Sequence, residues 1–136
     1  MASSAVATKL ANLERTGTVT HCFYDKILFA KVKALLGGRV RMMLTGSAPI
    51  SAEVLNFLKI CFSCNLLEGY GMTETSAGSC ITKFHDPTSG HVGGPVANVK
   101  IRLRDIPDMG YMSTNDPPKG EICFWGPSIM NGYFKN

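Results

Sequence analysis

Within EGYGMTET (68–75), five residues with chemical potential stand close together: Tyr70, Gly71, Thr73, Glu74 and Thr75. An aromatic ring can stack on a nucleobase. A threonine hydroxyl can donate to a phosphate oxygen, and a carboxylate beside that phosphate is the hard oxygen ligand a magnesium ion takes. A second stretch, TGSAPIS (45–51), offers Gly46 with no side chain and Ser47 and Ala48 with small ones, so a flat ring can come close to the backbone there. Taken alone, TGSAPIS reads as an ordinary strand-to-helix turn. The structural alternative for EGYGMTET is a core tyrosine followed by a helix-capping threonine and glutamate.

These two stretches matter together only if the fold brings them to one place. Val40–Leu44 (VRMML) reads as a buried parallel strand. Ser51 can cap a helix from Ala52 to about Phe62, with Glu53 in its first turn and an inward stripe of Val54, Leu55, Leu58 and Cys61 or Phe62. Asn65–Tyr70 then reads as a second strand. A strand–helix–strand crossover makes the two strands parallel, so both loops leave the same carboxyl edge of the sheet, where open α/β sheets bind ligands. Upstream, Tyr24–Leu36 has apolar residues at helical spacing and stops at Gly37 and Gly38. After residue 78 the texture changes. Ser79–Phe84, Val99–Arg104 and Glu121–Trp125 read as short strands between turn-rich segments, which suits a small antiparallel sheet or barrel piece.

Composition bounds the remaining possibilities. The chain has 136 residues, 45% of them hydrophobic and 18% charged, with 14 Gly and 7 Pro in no period, which excludes collagen-like and low-complexity classes. No apolar run approaches the roughly 18 residues of a membrane span. The N-terminal MASSAVATKLANLERTG has neither the apolar centre of a secretory signal nor, with Glu14 in it, the character of a transit peptide. The net charge is +4, and residues 1–43, with seven basic and two acidic groups, hold all of the surplus. Those basic residues alternate with apolar ones, which reads as a solvated helix face rather than a nucleic-acid surface. Five cysteines include one CxxC pair, Cys61 and Cys64, beside the isolated Cys22, Cys80 and Cys123. An odd count argues against a disulfide framework. His21, His85 and His91 form no HxxxH pair for a zinc site, so free thiols in a reducing compartment are expected.

TGSAPIS, EGYGMTET, GHVGGP (90–95) and GEICFWGPSIMNGYFKN (120–136) stand in the order and approximate spacing of the adenylate-forming superfamily. Within it the sequence resembles the long-chain fatty acid:CoA ligases, and LGGRVRMMLTGSAPIS (36–51) is especially similar to that group. The resemblance runs from about residue 8 onward. It implies an α/β fold: part of the large N-terminal domain of an adenylate-forming enzyme, with a parallel β-α-β unit followed by a small β-rich, barrel-like portion. Residues 1–78 would carry the adenine- and phosphate-binding loops, and residues 79–136 the β-rich part of the same domain.

The implied reaction has two steps. A fatty carboxylate attacks the α-phosphate of magnesium-bound ATP to give acyl-adenylate and pyrophosphate, and the thiol of coenzyme A then displaces AMP. By the same resemblance, Gly46, Ser47 and Ala48 would line the adenine and acyl pocket, and Tyr70 would pack on adenine. Gly71 would admit the adenylate to the backbone, and Glu68, Gly69 and Met72 would complete the nucleotide-binding stretch. Thr73 would contact phosphate and Glu74 would ligate magnesium, these two being the catalytic candidates. His91 is expected to be structural, Trp125 and Tyr133 to be barrel core, and Lys135 a solvated charge. Fatty acid, ATP and coenzyme A are the implied partners, with no nucleic acid. A cytosol-facing membrane surface, such as the endoplasmic reticulum or another organelle, is the implied setting.

No TSGTTGxPKG-like phosphate loop occurs in the sequence, and Asn136 comes before the family's ribose-binding aspartate and catalytic lysine. The expectation is a middle piece that makes no acyl-CoA by itself, since loss of even one preorganised oxyanion donor costs about 10²- to 10³-fold in rate. Two other readings stand beside this one: a non-catalytic product that binds nucleotide weakly, and another acyl-adenylating ligase with a different acid.

Overall fold

A computed structural model describes residues 1–84 and 86–135. The sequence readings that involve His85 and Asn136 therefore lie outside the described residues. The order of elements is helix α1 (Ala2–Thr16), a π-helical turn (Asp25–Phe29) running into α2 (Ala30–Leu35), β1 (Met42–Thr45), α3 (Ala52–Phe62) and β2 (Asn65–Tyr70). A 3₁₀ turn (Thr73–Thr75), β3 (Cys80–Ile81), β4 (Gly94–Pro95), β5 (Lys100–Arg104), a 3₁₀ turn (Pro107–Met109) and β6 (Glu121–Trp125) complete it.

The crossover predicted from sequence forms. β1 and β2 pair in parallel, with Met42 opposite Asn65 and Thr45 opposite Glu68, and α3 connects them. Ser51 caps α3 by accepting from the Val54 amide at 3.3 Å. Gly37 and Gly38 stop the preceding helix as expected: their amides reach back to the Ala34 and Lys33 carbonyls at 2.9 Å each, a Schellman closure. β3 and β4 then add antiparallel strands to the same sheet, giving the order β1-β2-β3-β4, so the sheet continues across residues 78 and 79. β5 and β6 form a separate antiparallel pair.

Several elements differ from the sequence expectation. The reading from sequence assigns no element before Tyr24, yet α1 packs on α3. Its inward face is Ala5, Lys9 and Leu13, spaced by four residues, and the lysine at the centre of that row hides the apolar period. The Lys9 ammonium is 1% exposed and fully bonded: it donates to the Ile60 carbonyl at 2.6 Å, to Ser63 Oγ at 2.8 Å and to the Asp25 carboxylate, and it lies over the Phe29 ring. The π turn, with its wider i→i+5 bonding, sets both Asp25 and Phe29 against that one lysine, where the sequence predicts plain α-helix.

In α3 the buried row is Leu55, Lys59, Ile60 and Cys61, and Val54 is exposed. The helix turns this way because Lys59 is itself bonded below the surface, to the Thr88 carbonyl and Ser89 Oγ. In β1, expected to be buried, Met42 and Leu44 are 52% and 65% exposed: one neighbour, β2, covers this strand among the described residues. Trp125, expected in a barrel core, is 67% exposed under the Lys100 ammonium, because strand alternation sends Phe124 inward and Trp125 outward.

Candidate functional site

Both loops singled out from the sequence leave the carboxyl ends of β1 and β2, and they meet along one open cleft of about 780 Å³. That volume lies within the range of small-molecule sites. Gly46 and Ser47 supply one wall. Gly69, Tyr70, Gly71, Met72 and Thr73 supply the other. Gly46 lies tight against the neighbouring strand, where a Cβ would stand 3.0 Å from the Gly69 carbonyl oxygen and push it by a few tenths of an ångström.

The second loop is compact. Ser76 and Ala77 both adopt left-handed backbone, at φ 53° and 82°, and so turn the chain back on itself. The Ala77 amide bonds the Met72 carbonyl at 3.2 Å and the Ser79 amide bonds the Tyr70 carbonyl at 2.8 Å. This return packs the Ala77 carbonyl against Gly71, where a Cβ would fall 1.3 Å from that oxygen. Glycine at position 71 is thus demanded by the loop's own closure. Thr75 is buried and caps the 3₁₀ turn, accepting from the Met72 amide at 3.1 Å.

Tyr70 stacks on Phe124 of β6, with ring centroids 6.0 Å apart and planes tilted by 22°. One face of the phenol ring is therefore covered, and Tyr70 stays 37% exposed at the cleft wall. Glu74, next to Thr73, stands just outside the cleft lining. Its Oε1 accepts a hydrogen bond from the Tyr133 hydroxyl, and its Oε2 has no side-chain hydrogen-bond partner among the described residues. The Tyr133 bond and a backbone amide hold the Glu74 carboxyl below its usual range, and the same bond pushes the Tyr133 phenol up.

Besides Glu74, two expected site residues lie off the cleft wall. Ala48 is exposed and off the cleft wall, because the left-handed Ser47 (φ 69°) turns the chain outward after Gly46. Glu68 is buried beneath the sheet and is not part of the lining. Its amide bonds Thr82 Oγ1 at 2.9 Å, and its carboxylate lies near enough to Lys59 to act on that ammonium, whose proton affinity burial lowers and whose neighbours Asp86 and Glu68 restore in part. Tyr133, expected in a core, is 54% exposed, with its hydroxyl end anchored on Glu74.

The sequence reading missed the contributions of Cys80, Ile81 and Val96 to the cleft and of Phe124 behind Tyr70. The alternation in EICFW, which puts Phe124 on the face opposite Trp125, is the signal that bears on the last of these. His91 behaves as a structural residue: it lies 2.7 Å from Thr88 Oγ1 and accepts from the Gly93 amide at 3.1 Å. All five cysteines are free, and burial raises the Cys61, Cys64 and Cys80 thiols.

A family model described as AMP-binding enzyme matches residues 4–134. The chain belongs to the AMP-binding enzyme family. Among curated members of this family, it is 48% identical over 121 residues to the peroxisomal long chain acyl-CoA synthetase 7 of Arabidopsis thaliana, covering 88% of this chain and 17% of that protein. It is 45% identical over 123 residues to the long-chain-fatty-acid–CoA ligase 1 of Homo sapiens, covering 90% of this chain and 17% of that one. The chain thus spans about a sixth of the length of these relatives. Among solved structures of AMP-binding enzymes, it matches the A domain of a Segniliparus rugosus carboxylic acid reductase in complex with AMP and a co-purified carboxylic acid. That match has TM-score 0.65 and 28% identity, over 96% of this chain and 20% of that one. A benzoate CoA ligase from Burkholderia xenovorans matches with TM-score 0.63 and 26% identity, over 71% of this chain and 19% of that one. The α/β class read from the sequence is that of these adenylation domains. No helix among the described residues is long and apolar enough to cross a membrane.

Proposed function

We propose that this chain is the nucleotide-facing part of a long-chain fatty acid:CoA ligase, which activates a fatty acid with ATP through acyl-AMP and passes the acyl group to coenzyme A. The observation that carries this reading is the convergence of the β1 and β2 loops on one cleft, with Tyr70 stacked from behind and Thr73 on the same wall. In this reading residues 1–78 bring the binding loops and residues 79–136 the β-rich support. Tyr70 offers its free face to adenine. Gly46 and Ser47 keep the facing wall low enough for a purine to slide between the loops. The Thr73 hydroxyl donates to a phosphate oxygen.

The chemistry follows from leaving-group strength. A fatty carboxylate oxygen bonds to the α-phosphorus as the bond to pyrophosphate breaks, and the thiol sulfur of coenzyme A then bonds to the acyl carbon as AMP departs. Glu74 fits a magnesium ligand: it is a carboxylate, its Oε2 has no side-chain partner among the described residues, and its charge is favoured by the Tyr133 bond. A magnesium ion held there would neutralise charge on the phosphates. The role of Ala48 is confined to supporting the turn, and that of Glu68 to the sheet. A cytosol-facing membrane surface is the setting that suits a lipid substrate.

The reading is tested by exchange. Residues 4–134 replace their counterpart in the Arabidopsis long chain acyl-CoA synthetase, and the purified chimera is assayed with ATP, palmitate and coenzyme A. Palmitoyl-CoA is expected, with at least a tenfold loss on Thr73→Val in the exchanged segment, as about 10²- to 10³-fold follows loss of one preorganised donor in other enzymes. A folded chimera that binds AMP and forms no acyl-AMP would contradict it.

A further inference from the structure

The turn that carries Glu74 is held from outside the cleft. After β6 the chain runs back over the 3₁₀ turn and bonds it three times: the Met130 amide donates to the Glu74 carbonyl at 2.9 Å, Ser76 Oγ donates to the Ser128 carbonyl at 2.8 Å, and the Tyr133 hydroxyl donates to Glu74 Oε1. The first two bonds fix backbone. Only the third acts on the carboxylate, across a sequence separation of 59 residues.

That division of labour has a physical reason. A glutamate on a surface turn keeps several rotamers, and ordering such a long side chain costs conformational entropy. Apart from its own backbone amide, nothing else among the described residues bonds the Glu74 carboxylate oxygens, so without the phenol the side chain would pay much of that cost whenever it took up a ligand. Tyr133 is not engaged in a core, being 54% exposed, so its ring is not placed there for burial. A hydroxyl on one carboxylate oxygen leaves the other to point at a cation. Magnesium suits such a one-oxygen ligand, because it keeps most of its waters and demands fixed geometry. Hydrogen-bond partners one layer out orient the ligands of bound metals in this way.

We propose that Tyr133 is a positioning residue for Glu74: its hydroxyl holds Oε1 and so presents Oε2 to a magnesium ion on the nucleotide phosphates. The inference rests on the reading of Glu74 as the metal ligand, and it adds that the β-rich tail sets how well that ligand works.

The test compares Tyr133→Phe, which keeps the ring, with Glu74→Gln, which keeps the side-chain volume, in the purified protein. ATP binding is measured by calorimetry in chelator and again across a magnesium series, with thermal melting to establish that each variant is folded. Tyr133→Phe is expected to raise the magnesium midpoint about tenfold, the lower end of what loss of such a partner costs, and to leave ATP affinity in chelator unchanged. Glu74→Gln is expected to remove the magnesium dependence, and adding Tyr133→Phe to it should change nothing more, since the two act as one unit. If Tyr133→Phe weakens ATP equally with and without magnesium, Tyr133 only anchors the tail and the proposal falls. It falls also if the magnesium midpoint stays put in Tyr133→Phe while Glu74→Gln abolishes it, in which case the metal-ligand reading of Glu74 survives alone. A magnesium dependence that persists in Glu74→Gln overturns both.

Discussion

Lys9 and Glu74 are each held by a partner far along the chain, and they are held in opposite ways. The Lys9 ammonium is sealed between α1, α3 and the π turn, and its three protons are used on Asp25, Ile60 and Ser63. Glu74 sits on a surface turn with one oxygen bonded to Tyr133 and, among the described residues, no side chain bonded to the other. A buried charge with every proton committed has nothing left to offer a ligand, so its contribution is to the fold. A reachable charge held in one orientation with one oxygen spare is the arrangement a binding group needs. The same contrast separates the helical layer from the cleft, where Tyr70 remains accessible.

The sharpest way to break the contrast is Lys9→Ala. It leaves the half-buried Asp25 carboxylate facing an apolar layer without its partner, which should cost about 3 kcal/mol of stability in urea unfolding. AMP affinity of the protein that stays folded should move by less than about twofold, since Lys9 lies outside the cleft. The acid side gives a second readout of the same variant. Burial alone would raise the Asp25 carboxyl, but the Lys9 hydrogen bond, the His21 amide and the Lys9 charge together outweigh it and leave it below its ordinary value. A carboxyl lowered by folding adds stability that is present above its unfolded value, about 3.9, and is lost as pH falls through the folded one. Stability of the parent protein should therefore drop as pH falls below about 4, and Lys9→Ala should flatten that drop. An unchanged profile would mean that the pair does not hold the helical layer.

A smaller effect sharpens the contrast from the cleft side. Phe124→Ala removes the ring behind Tyr70, and aromatic pairs of this kind contribute about 0.5–1.5 kcal/mol. AMP affinity should fall by roughly 2- to 12-fold, and Phe124→Leu should recover part of it. Equal affinity in all three proteins would show that the stack does not set the Tyr70 ring.

Much of the cleft was legible in the sequence because it depends on local signals. Apolar strands, the Ser51 cap and two glycine-bearing turns suffice to predict a parallel crossover whose loops share an edge, and Gly46, Tyr70 and Thr73 stand together there. What was not legible depends on pairings between distant residues. Lys9 occupies a core position that apolar periodicity would assign to a leucine, so α1 gave no signal. Trp125 and Tyr133 look like core aromatics by type, and only strand alternation and the path of the tail show that one faces out and the other bonds Glu74. Glu68 adjoins the cleft in sequence, yet strand geometry turns it beneath the sheet, toward Lys59.

In the proposed function Tyr70 is the surface that meets the nucleobase, and calorimetric titration of AMP into the purified protein, parent against Tyr70→Ala, tests this most directly. The parent should bind, and Tyr70→Ala should lose about 1–3 kcal/mol, a fall of roughly 5- to 150-fold, as for other bases stacked on aromatic side chains. Equal AMP affinity in two folded proteins would contradict the account.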